Sequence, residues 1–184
     1  MIKQLLLATS FLCVTLFANA QGKYFTKTGK ITFTSNATLE DIEAKNKSVV
    51  SMLDTKTGAL QFSVLMKSFE FEKALMQEHF NATYIESNKY PKAEFRGTIT
   101  NNAAINYTKP GTYTAKVKGL LTIHGVTKPV QTIGTIKVDG DGLKAMSSFD
   151  VKLADYKIAI GSGVKDKIAK TVKIDVETKL EPLK

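Results

Sequence analysis

The feature that most restricts the fold is residues 113–138, YTAKVKGLLTIHGVTKPVQTIGTIKV. Tyr113, Ala115, Val117, Gly119, Leu121 and Ile123 share one phase, and Thr114, Lys116, Lys118 and Thr122 share the other. That period of two describes a strand with one covered and one wet face. The alternation resumes after His124-Gly125 with Val130, Thr132, Gly134, Ile136 and Val138. A two-residue connection ending in Gly suits a tight hairpin, because Gly accepts the positive φ such turns demand. A ribbon this long needs a sheet or barrel to cover its apolar side.

The remaining segments follow the same logic. Residues 30–35, 48–54, 59–66, 92–100, 143–153 and 168–180 are predicted strands, with turns at 55–58 and 139–142. Residues 21–29 are expected to be a frayed start. Residues 36–47 are polar and ambiguous, either a helical turn near 38–41 or a polar edge strand. Residues 71–80 are the strong helix prediction, since Leu75/His79 and Met76/Phe80 lie one turn apart. About eight strands with one helical interruption favour closure into an antiparallel up-and-down barrel, which removes exposed edges.

Residues 1–20 read as an export signal: Lys3, an apolar run over 5–17, and Ala18-Asn19-Ala20 as a small-x-small cleavage site. The apolar run is short for a membrane span, so an integral membrane protein is not expected. Residues 21–184 then form one domain of 164 residues, exported to the periplasm or the medium. The only cysteine, Cys13, falls in the leader, so the mature chain is expected to hold by burial and strand pairing without a disulfide.

The formal charge of +9 sits largely on lysines in the outward phase, and Arg96 is the only arginine. A solvated exterior explains this better than nucleic-acid binding. Two histidines without a ligand partner at suitable spacing argue against a metal site. Asp139-Gly-Asp141-Gly lacks the later glutamate of a calcium loop, and Ser162 between glycines lacks a nucleophile-elbow pattern. No catalytic residue is nominated and no enzyme is expected. An enzyme acting on a bound lipid would require a polar cluster near a cavity, around His79.

Three motifs carry a resemblance: Leu75-Met76-Gln77-Glu78-His79-Phe80, Tyr90-Pro91-Lys92-Ala93-Glu94-Phe95-Arg96-Gly97, and residues 119–130, GLLTIHGVTKPV. In this order they resemble the YceI-like family of exported, lipocalin-like, extended eight-stranded barrels. The resemblance implies a polyisoprenoid or quinone-like lipid along the interior as the only cofactor-like cargo.

The residues themselves offer two readings of that interior. Gly97, Ala115 and Gly119 among Phe33, Phe62, Phe95 and Phe149 either open an aromatic-walled channel for an apolar ligand or relieve crowding where strands bend. The first reading makes the protein a lipid carrier. The second makes it an envelope stress or interaction protein with a packed barrel. Head group, chain length and oligomeric state, a homodimer included, are left open.

Overall fold

A computed structural model describes residues 22–140 and 142–183. The expected leader with Cys13, and Asp141 of the 139–142 turn, lie outside the described residues. Nine strands form in chain order: β1 (Lys23–Asn36), β2 (Asp41–Asp54), β3 (Ala59–Leu65), β4 (Phe69–Phe71), β5 (Lys92–Ile99), β6 (Gly111–Ile123), β7 (Val126–Asp139), β8 (Gly142–Lys152) and β9 (Thr171–Pro182). The helix α1 (Ala74–His79) lies between β4 and β5. Pairing runs β1-β9-β8-β7-β6-β5-β3-β2, and β1 pairs β2 to close the ring. The three-residue β4 continues the line of β3 on the same edge of β2, so β3 and β4 form one interrupted stave of an eight-staved antiparallel barrel.

The ribbon behaves as its alternation predicts. All of β6 pairs with β7, from Gly111↔Val138 to Ile123↔Val126. His124 (φ 51°) and Gly125 (φ 72°) both take positive φ, which a type I′ hairpin requires.

Four boundaries differ from expectation. β1 starts at Lys23, not residue 30, because Tyr24, Phe25 and Thr26 pair with Leu53, Met52 and Ser51. Register shifts on either side of Gly29 switch the side-chain phase there, which hides the first half of the strand from any period-two search. The polar stretch from Asp41 onward is full barrel wall. Asp41, Glu43, Lys45 and Lys47 face water while Ala44 and Asn46 are buried, and Asn46 donates from Nδ2 to the Leu65 carbonyl at 2.8 Å. The α-helix is only six residues, continuing as a wider turn through Phe80–Tyr84, and Phe71 belongs to β4. Finally, β9 begins at Thr171, leaving Ile168 in the preceding loop.

Two apolar clusters fill the barrel ends differently. The lower one packs Leu53, Leu60, Ile99, Val138, Leu143 and Leu180 beneath Ile105, whose loop crosses that end. Fully burying a leucine is worth about 2–3 kcal/mol, so this floor is a main source of stability. Tyr107 completes it, donating its hydroxyl to Asn102 Oδ1 at 2.7 Å, while Asn102 Nδ2 donates to the Thr55 carbonyl at 2.8 Å.

Burial pushes the Tyr107 hydroxyl up from 10.0 to about 12. Below pH 10 it is protonated in folded and unfolded chains alike. Between about 10 and 12 only the unfolded chain releases the proton, so stability falls as pH rises through that window. A melting series across it is expected to show a steeper alkaline loss for the parent than for Tyr107→Phe. Parallel curves would mean the hydroxyl is not shielded.

Candidate functional site: the barrel cavity

Above the floor the interior is hollow. A cavity of about 560 Å³ extends from Leu53, Leu60, Ile99 and Ile136 up to the opposite end of the barrel, and apolar side chains form most of its wall. This falls within the size range of small-ligand sites.

The strand phase places the wall directly. Inward positions of β1, β3, β5, β6 and β8 supply Phe33, Phe62, Phe95, Ala115 and Phe149, all of which line the cavity. Gly97 and Gly119 do not reach the lining. They face each other across β5 and β6, and the Phe95 ring lies over both. Their part is to let the two backbones approach and the ring lie flat; the ring, not the glycines, meets the lumen.

Near the upper end Phe33 joins Phe69, Phe71 and Phe80, three rings that alternation did not assign to the wall. Phe33 stacks on Phe80 with centroids 5.5 Å apart, Phe69 meets both, and Phe71 lies 5.0 Å from Phe80. Such pairs add about 0.5–1.5 kcal/mol each beyond area burial, which rigidifies this end. The available signal was Phe69-Glu-Phe71, a short alternation that fits β4 better than a helix.

The cavity reaches the surface between α1 and the 157–170 loop, where exposed Lys73, Leu75, His79 and Lys167 form its mouth with Ile42 and Ile168. Lys73 Nζ lies 2.9 Å from Glu40 Oε1, tying the β1–β2 turn to the start of α1. That contact raises the Lys73 ammonium pKa, first through the hydrogen bond and then through charge. Both groups are accessible, so it orients the rim more than it stabilises the fold. His79 stands at this rim as the lining's one histidine.

His124 lies elsewhere, at the tip of the β6–β7 hairpin. Its Nδ1 donates to the Tyr156 carbonyl at 3.1 Å, its Nε2 is 2.8 Å from Glu86 Oε2, and the Tyr90 ring meets it edge-on at 4.6 Å. This residue pins three connections together and does not contact the cavity. Among the described residues no group of three potential metal-ligating side chains occurs, and no helix is long and apolar enough to cross a membrane.

A closed antiparallel barrel of eight staves, hollow and apolar above a packed floor, defines a lipocalin-like barrel protein. More narrowly, the chain belongs to the YceI-like family, whose domain model matches residues 12–180. Among solved structures, a polyisoprenoid-binding domain from Saccharophagus degradans implicated in plant cell wall breakdown is similar with TM-score 0.75. It shares 16% identity over 88% of this chain and 99% of its own. BcnA of Burkholderia cenocepacia has TM-score 0.68 and 19% identity over 83% and 95% of the two chains. The YceI protein of Campylobacter jejuni has TM-score 0.54 and 18% identity over 74% and 81%. At these identities the likeness carries the fold alone. No curated protein sequence matches the chain.

Proposed function

We propose that the chain is a non-catalytic carrier that holds one long apolar lipid of the polyisoprenoid type, quinone-like lipids included, inside the barrel. We also propose that it is exported through residues 1–20 and works in the periplasm or the medium. The observation that supports the cargo is the continuous cavity, whose wall is predominantly aliphatic and aromatic, with Lys73, Lys167 and Glu40 at the mouth. The similarity to a domain described as polyisoprenoid-binding agrees with this reading.

Size and energy are compatible. At about 30 Å³ per water-sized group, 560 Å³ takes on the order of twenty carbons. Their burial at roughly 0.8 kcal/mol each gives about 16 kcal/mol gross, close to the practical ceiling for non-covalent affinity. Several kcal/mol are lost to ordering the ligand, and a useful affinity remains without any catalytic group. The packed-barrel alternative has no comparable support, since the two side-chain clusters leave a cavity of about 560 Å³ between the barrel walls.

Native mass spectrometry with solvent extraction tests the carrier. Protein recovered from the expressing cell is expected to release an apolar lipid at close to one per chain. Protein that is empty and also refuses added prenyl lipids presented in micelles would sink the proposal.

A further inference from the structure

The barrel is closed, but one seam is only half sewn. β7 and β8 pair over Gly134↔Ser147 to Asp139↔Gly142. Beyond that point residues 126–133 of β7 pair with β6 alone, and β8 past Ser147 pairs with β9 alone. At the fork, side chains replace the ladder: Thr132 Oγ1 and Ser147 Oγ are 3.1 Å apart, and Ser147 Oγ donates to the Ile133 carbonyl at 3.3 Å. The wall is thin here because Gly134 has no side chain and Ser147 a small one. Gly134, Thr135, Met146, Ser147 and Val176 border both the interior cavity and a groove on the outer surface.

The outside of this seam brings exposed apolar and basic side chains together. Ile133 is 66% exposed, Leu120 54% and Met146 37%, on three neighbouring strands. β6, β7 and β8 carry six lysines against two aspartates, whereas β2 and β9 carry four lysines against six acidic residues. Lys137 and Lys144 pair with Asp139 and Glu177, and Asp175 and Glu177 border the groove, but Lys116, Lys118, Lys128 and Lys152 make no salt bridge among the described residues. Apolar side chains beside these four lysines complement an anionic lipid surface, which draws basic residues and accepts apolar ones.

We propose that the outer face of β6–β8 docks on an anionic lipid bilayer, and that the β7–β8 fork is where a lipid tail passes between bilayer and cavity. This rests on the carrier reading above and adds the donor surface and the route. Docking there sets the fork against the bilayer, so a tail can slide sideways into the lumen without crossing water. For that, the Thr132–Ser147 hydroxyl bridge and the bond from Ser147 Oγ to the Ile133 carbonyl have to part.

Vesicle flotation tests the docking face. The protein is expected to bind vesicles of equal phosphatidylcholine and phosphatidylglycerol at least tenfold more tightly than phosphatidylcholine alone, with the difference lost in high salt. Ile133→Asp and the pair Lys116→Glu/Lys118→Glu should each weaken binding about tenfold or more. Val50→Asp, on the exposed side of β2, should leave it unchanged. Equal binding by Ile133→Asp and the parent, or equal loss with Val50→Asp, overturns the assignment.

The route is tested with Thr132→Cys/Ser147→Cys in a Cys13→Ser background. Transfer of a fluorescent prenyl lipid from the mixed vesicles should be at least tenfold slower in the oxidised than in the reduced form. Equal rates would reject the fork. Protein that accepts prenyl lipid from micelles but ignores vesicles would defeat this inference and spare the carrier, whereas refusal from both sources defeats the carrier first.

Discussion

Ala115→Phe is expected to abolish most lipid uptake while leaving the barrel folded. Ala115 is buried on β6 opposite Gly134 and lines the cavity where it meets the floor cluster. A phenyl ring there takes the room of about six ligand carbons, or roughly 5 kcal/mol of burial. Even if the ligand recovers half by shifting, affinity falls roughly fifty-fold. Overpacking a core costs about 1–3 kcal/mol, but here the ring enters empty space, so the melting temperature should change little. Thr112→Phe, the same ring on the exposed side of the same strand, is the control and should bind as the parent does. Uptake by Ala115→Phe at parental affinity in a titration would mean the lipid does not sit in this cavity.

Gly97→Ala is expected to produce the largest loss of stability of any single methyl addition to the wall. A Cβ at Gly97 would overlap the Lys118 carbonyl oxygen and the Phe95 ring. At the facing Gly119 it would stand 2.5 Å from the Arg96 carbonyl oxygen and 2.6 Å from the Phe95 ring edge. A flexible side chain could yield, but a paired backbone cannot without separating β5 from β6. Costs of this kind lie at about 3 kcal/mol or more, which for a chain of this size corresponds to a fall of roughly 10 °C in melting temperature. Gly161→Ala, where an added Cβ meets nothing within 4 Å, should change it by no more than about a degree. If Gly97→Ala melts with the parent, the close approach of the two strands has no energetic weight.

These two positions also mark how far the site could be read from the residues. Phe33, Phe62, Phe95, Ala115 and Phe149 stand on the cavity wall, the face that alternation gives them, because a strand's period fixes which face a side chain takes. Gly97 and Gly119 share that phase but lie outside the lining, for a reason no period contains. Whether a neighbouring ring lies over a residue depends on rotamer and cross-strand packing. The mouth was illegible for a related reason: Ile42, Leu75, Val164 and Ile168 come from a strand end, a short helix and a loop. They share no spacing and meet only after the barrel has closed.

The fold shows the same division. β5 and the β6–β7 ribbon were plain, since their inward residues are uniformly small or apolar. The first half of β1 was hidden by the irregularity at Gly29, and the polar half of β2 by inward residues as unassuming as Ala44 and Asn46. In both cases pairing to neighbours already in place supplies what local pattern does not.

Ile105 and Tyr107 seal the lower end of the barrel, and that makes the protein a cul-de-sac instead of a conduit. Nothing can be threaded in at one pole and out at the other. On the carrier reading proposed above, a guest would leave by the side on which it arrived, and delivery would depend on the whole loaded particle changing neighbours between one collision and the next. On the same reading, such a molecule would work as a ferry, its throughput set by how fast it lets go of each shore.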